Sequence, residues 1–326
     1  MEDNRIYSER PEPMRRLLLI ISLIFIIISP LAGESIRINQ LLKITPEEGD
    51  PYRWPYYLYI PDLNDSDSAT LLILPNNTGK CSDDFDYHDK RALRQIYNMR
   101  DFADALRTII IMPVFPRPET DWQIYTHALD RDALLTSIPE LKRLDLQLIG
   151  MIDHSKKMLN DMSITVRDQV LMFGHSAAGM FVNRFCILHP ELIRAAAIGS
   201  PGGWPMAPLE QWKNQTLRYP IGTADIREIT GISFDAETFA EIPMLFFLGD
   251  QDDNDAVAYD DAYDSIDREI IMKLFGQTPV ERWPVIGEIY RDKCHKCEFK
   301  MYEGVGHEVN SEMWKDIKAF FRKYLP

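Results

Sequence analysis

The stretch Val170-Leu171-Met172-Phe173-Gly174-His175-Ser176-Ala177-Ala178-Gly179 decides the fold. Four apolar residues suited to a buried strand run into Gly174, and Ala177 to Leu188 follows as a mostly apolar segment closed by Pro190. That pattern predicts a strand turning directly into a buried helix. The turn holds Ser176 and must be sharp, so its neighbours must be small. Gly174 meets that need before the serine, and Ala177, Ala178 and Gly179 meet it after. The helix start also aims unpaired amides and a positive dipole end at the space beside the hydroxyl.

Outward from this turn, nearly continuous apolar runs recur. Upstream lie YYLYIP at 56–61, ATLLILP at 69–75 and RTIIIMPV at 107–114; downstream lie 195–199, MLFFL at 244–248 and 298–302. Such runs suit strands covered on both faces. Residues 140–158 carry helical spacing with Leu141, Leu144, Leu146, Leu148 and Ile149 expected on the apolar side, and residues 313–324 read as an amphipathic helix. Strands alternating with helices predict an α/β fold, a mostly parallel central sheet with helices on both faces. Residues 34–326 read as one domain, with 205–241 as a candidate lid inserted between two strands.

In this setting the serine turn resembles the nucleophile elbow of the α/β-hydrolase superfamily, whose usual motif is G-x-S-x-G. Ala178 stands where the second glycine is usual, and glycine follows one residue later. The LYIP at 58–61 and the PNNTG turn at 75–79 look closest to esterases and polyhydroxybutyrate-depolymerase-like hydrolases. The resemblance runs from the first of these strands to the last helix. It implies Ser176 as nucleophile and the chain order serine, acid, histidine.

The acid region is FFLGDQDDND at 246–255. The resemblance places the acid three residues after the strand-ending glycine, which selects Asp252; Asp250, Asp253 and Asp255 compete, and a solvated or calcium-binding loop is the bland alternative. Among seven histidines, His307 lies in EGVGHE at 303–308, between a final strand and the C-terminal helix. Gly304 and Gly306 let that loop swing the imidazole back over the sheet, where the superfamily's histidine lies. His175 reads as a packing residue that shapes the elbow. The oxyanion hole is expected from the backbone N–H of Ala177 with that of Asn76 or Asn77, the asparagine side chains being further donors; a plain Asx turn is the alternative. Trp122, Tyr125 and Trp204 lie in loops at the same sheet edge and are the expected walls of a substrate pocket, with simple packing as the equal alternative.

Composition bounds the rest. The 326 residues are 45% hydrophobic, enough for a substantial core, and the net charge of −14 opposes nucleic-acid binding. Arg15 and Arg16 precede an apolar run at 17–28 broken only by Ser22, and SPLAG follows at 29–33. A positive start, an apolar middle and a small-residue exit predict a secretory signal over 1–33, cleaved near Ala32 or Gly33, or an uncleaved signal anchor. The run is shorter than the about 20 residues a membrane span needs. Either way the bulk is expected to be exported, whether secreted, periplasmic or anchored to the membrane by this segment. Cys294 and Cys297 form CHKC, which reads first as structural or surface thiols and otherwise as a short disulfide loop, a redox pair or half a zinc site with no second CxxC to complete it; Cys81 and Cys186 stand alone. The expected chemistry is hydrolysis of a small or polymeric carboxylic ester through an acyl-enzyme, with no metal or organic cofactor. A peptidase or acyl transferase with the same triad, and an inactive binding protein on this scaffold, are the other readings.

Overall fold

Alternation explains why the apolar runs are unbroken. In the strand Thr70–Ile73 (β3), Leu71 and Ile73 feed one core while Leu72 feeds the other. Thr108–Pro113 (β4) divides likewise, Ile109 and Ile111 against Ile110 and Met112. A strand lined with apolar side chains on both faces needs a layer of helices on each.

The computed structural model describes residues 39–63 and 68–326; the expected signal segment lies outside the described residues. Before β3 come β1 (Gln40–Ile44) and β2 (Tyr56–Ile60), and α1 (Phe85–Leu106) joins β3 to β4. Next follow α2 (Arg131–Leu135), α3 (Leu144–Asp161), β5 (Val170–His175), α4 (Ala177–Leu188) and β6 (Ile193–Gly199). An excursion holds the hairpin β7 (Gln211–Trp212) and β8 (Gln215–Thr216), then α5 (Ile226–Thr230) and α6 (Ala236–Ala240). The chain closes with β9 (Met244–Gly249), α7 (Ser265–Leu274), α8 (Pro279–Lys293), β10 (Cys297–Tyr302) and α9 (Ser311–Arg322).

Eight strands form one sheet in the order β1-β2-β4-β3-β5-β6-β9-β10. The pairs β1–β2 and β2–β4 are antiparallel and the remaining pairs parallel, as expected of a mostly parallel sheet. Helices α3, α4 and α8 pack on one face, and α1 and α9 on the other. Every residue of α4 is buried, so the helix behind the serine turn is held on all sides. The helix expected over 140–158 starts later, at Leu144, because Arg143 takes a left-handed conformation (φ 51°) and residues before it close a separate turn.

The segment 205–241 is an insertion between β6 and β9, but it does not hang free as a lid would. Met206, Leu217, Tyr219 and Ile221 are fully buried in the larger core. Asn183 Oδ1 accepts the Met206 N–H at 2.7 Å, and the Tyr290 hydroxyl donates to the Met206 carbonyl at 2.8 Å. Cys294, at the end of α8, and Cys297, the first residue of β10, are joined as a disulfide and are not the free thiols first expected; Cys81 and Cys186 are free. Among the described residues, no helix is long and apolar enough to cross a membrane.

Candidate active site

Ser176 sits between β5 and α4 with φ 62° and ψ −129°, a conformation L-residues rarely take. Its own N–H is tied to the Gly199 carbonyl at 2.9 Å. The small neighbours are required sterically: a Cβ on Gly174 would stand 2.1 Å from the Ala178 carbonyl oxygen, and one on Gly179 would stand 2.5 Å from that of Gly199. The turn therefore tolerates alanine at 178 but not at 174 or 179. Among the described residues the amide of Ala177, first residue of α4, has no partner.

The strand end two places along the sheet supplies the carboxylate. Gly249 closes β9 so tightly that a Cβ there would meet the Val305 carbonyl oxygen at 2.1 Å, which clamps this turn to the loop carrying His307. Asp252 is 3% exposed, and both its carboxylate oxygens lie 3.0 Å from His307 Nδ1. Burial pushes the Asp252 carboxyl upward, but the His307 hydrogen bond, the Ser200 side chain, the His307 charge and the Asn254 N–H outweigh it and hold the group below the usual range. The competing acids are engaged elsewhere or exposed. Asp250 accepts the Gly304 N–H at 2.7 Å, Asp255 pairs with buried Arg282 at 2.8 Å, and Asp253 faces solvent.

The His307 ring lies against that of His175, with centroids 4.7 Å apart. Since His175 immediately precedes Ser176, this contact places the imidazole at the elbow. The Ser176 hydroxyl makes no hydrogen bond among the described residues, a looseness common in catalytic sites without substrate. Burial, followed by the charge of His307, lowers the His175 pKa to about 4, so this second imidazole is neutral at physiological pH.

The loop after β3 separates the two asparagines. Asn76 turns its side chain away: Nδ2 donates to the Phe115 carbonyl at 2.8 Å and Oδ1 accepts the Phe115 N–H at 3.1 Å. The Asn77 N–H is held by Gln95 Oε1 at 3.3 Å, and its Oδ1 accepts the Gly79 N–H at 3.0 Å. The Asn77 N–H and the Asn76 side chain are thus already committed, contrary to the expectation that they could serve as donors, whereas Asn77 Nδ2 makes no hydrogen bond among the described residues. The Asn76 N–H has no partner among the described residues. Gln95 on α1 was not foreseen, because nothing local to it signals a contact 18 residues away.

The expected pocket walls divide as well. Trp204 is 1% exposed, stacks on Phe275 at 3.9 Å and donates its ring N–H to the Ile221 carbonyl, which makes it a core residue of the insertion. Trp122 projects into solvent. Tyr125 lies under the Arg117 guanidinium, 3.7 Å from the ring centre. His127 is buried and donates to the Phe115 carbonyl at 2.8 Å, bracing the strand end that anchors Asn76. Among the described residues no cluster of three or more His, Cys, Asp or Glu is placed to hold a metal ion.

No family model matches the sequence, and no curated protein matches it. Solved structures do share the architecture. A poly(aspartic acid) hydrolase from Sphingomonas sp. KT-1 superposes with a TM-score of 0.59 at 18% identity, over 86% of this chain and 97% of that one. A poly(3-hydroxybutyrate) depolymerase from Bordetella parapertussis gives 0.54 at 19% identity, over 88% and 91%. An S-formylglutathione hydrolase from Agrobacterium tumefaciens gives 0.50 at 14%, over 88% and 95%. At such identities the likeness speaks for architecture alone, and since it spans most of the chain and not just the serine turn, the protein has the α/β-hydrolase fold.

Proposed function

We propose that the protein is a serine hydrolase acting on carboxylic esters, with Ser176 as nucleophile, His307 as general base and Asp252 as the group orienting it. The observation that carries this reading is the Asp252–His307 pair at 3.0 Å, its ring set beside an elbow serine at φ 62°. A serine hydroxyl needs a base to take its proton, and the base needs an acceptor on its far nitrogen to fix its tautomer. His307 Nε2 takes the proton as Ser176 Oγ bonds to the ester carbonyl carbon. The Ala177 and Asn76 amides receive the oxyanion, the alcohol leaves with the His307 proton, and water releases the acid by the same steps. Each oxyanion donor is typically worth about 3 kcal/mol.

A fluorophosphonate probe is expected to label the wild type and not Ser176→Ala, and p-nitrophenyl esters are expected to turn over faster than peptide p-nitroanilides. An unlabelled wild type sinks the enzyme reading; faster amide cleavage turns it into a peptidase. Export is part of the same proposal, supported by the Arg15-Arg16 and apolar 17–28 pattern and by the Cys294–Cys297 disulfide, which suits an oxidising compartment.

A further inference from the structure

The segments that carry the reaction share a wall that none of the reacting groups lines. A cavity of about 290 Å³ lies beside the elbow, bounded by His175 and Ala178 on either side of Ser176–Ala177 and by Asn77, next to the free Asn76 amide. Val309, two residues past His307, closes it from the α9 side together with Trp314. Met99 and Asn98 of α1 form its outer part, with Asn98 exposed at the mouth. No Asp, Glu, Lys or Arg lines it, although the protein carries 86 such residues by its counts of 36 basic and 50 acidic side chains. Its polar groups are carboxamides and an imidazole that burial keeps neutral.

We infer that this cavity, and not the Trp122, Tyr125 and Trp204 side, receives the acyl group of the substrate and selects a short, uncharged one. The inference rests on the Ser176 reading above. A group attached to a carbonyl carbon held between Ser176, Ala177 and Asn76 must pass along one of the walls these segments build, and here they border a half-open cleft. At roughly 30 Å³ per water-sized group, the volume admits about ten non-hydrogen atoms, hence acyl chains up to about eight carbons. A carboxylate on the acyl chain would enter without a cation to meet it, so its partial desolvation would go uncompensated.

The test compares p-nitrophenyl acetate, butyrate, octanoate, dodecanoate and hemisuccinate. Wild-type kcat/KM is expected to hold through octanoate, to collapse at dodecanoate, and to be at least about a hundredfold lower for hemisuccinate than for butyrate. Met99→Trp is expected to lower the octanoate-to-acetate ratio about tenfold and Met99→Ala to raise the dodecanoate-to-acetate ratio. Asn98→Lys is expected to raise the hemisuccinate-to-butyrate ratio about threefold. These are ratios within each variant, so a general loss of fold does not imitate them. Ratios unmoved by both substitutions at Met99 and by Asn98→Lys, in a protein whose Ser176 still takes the fluorophosphonate, overturn the cavity alone. An unlabelled wild type overturns the hydrolase reading and the cavity with it.

Discussion

Four aspartates crowd the turn after β9, and their roles separate by what each carboxylate touches. Asp252 reaches His307, with the Ser200 side chain and local backbone beside it, Asp255 holds a buried guanidinium, Asp250 ties down the Gly304 amide, and Asp253 is exposed. Asp252→Asn is therefore expected to cost kcat on the order of 10³–10⁴, since the amide favours the wrong imidazole tautomer. Thermal stability should change little by comparison. Asp255→Asn should do the opposite, lowering stability by about 1–3 kcal/mol by leaving Arg282 short of its partner while sparing kcat. Kinetics and thermal melts on the two variants check both; an Asp255→Asn enzyme with the larger kcat loss would reassign the acid.

At the scale of elements, the loop from β3 to α1 is held from outside. Gln95 grips Asn77 by both backbone groups, its Oε1 taking the N–H and its Nε2 donating to the carbonyl. The Asn76 amide keeps its place because its two flanks, Phe115 and Gln95, are fixed. Gln95→Leu is expected to lower kcat about tenfold and stability by about 1–2 kcal/mol, with KM moving less. A kcat equal to wild type would show that the loop needs no such brace. This is also where reading the chain ran out. The central strands were legible because two cores make every residue apolar, and the elbow because sterics admit only small residues. Edge strand β1 was not, since half-exposed Gln-Leu-Leu-Lys-Ile shows neither an unbroken run nor a clean alternation. Helix α1 also went unread, because half of its buried residues, His88, Ala92 and Ala103, are small or polar and charged residues separate them from Ile96, Phe102 and Leu106. Asn76 and Asn77 could not be told apart because their partners come from the loop after β4 and from α1. Asp252 and His307 could be singled out, because the glycines at 249, 304 and 306 mark the turns that bring them together.

Across the whole molecule, buried titratable groups pull stability in opposite directions as pH changes. Burial lowers His127 to about 3 and His175 to about 4, below the ordinary value of 6.5. In that window the unfolded chain binds more protons than the folded one, so these two groups make stability fall as pH drops from 6.5 toward 4. Burial raises Asp130 to about 7 and Asp267 to about 6, against 3.8. There the folded state binds more protons, so these carboxyls add stability as pH falls through the same range. Each group contributes a slope near 1.4 kcal/mol per pH unit where its folded and unfolded forms differ fully. With two groups of each sign, the wild type should show a nearly level unfolding free energy between about pH 4.5 and 6. Asp130→Asn removes one downward-sloping partner yet keeps the cap on α2, because asparagine accepts the Ala133 N–H as aspartate does at 2.9 Å. The variant should be more stable than wild type at pH 8 by on the order of 1–4 kcal/mol, with the gain shrinking to nothing near pH 4. Urea unfolding at pH 4.5, 6 and 8 measures this directly. If the variant and wild-type curves run parallel across that range, the Asp130 carboxyl does not carry the proton that its burial implies.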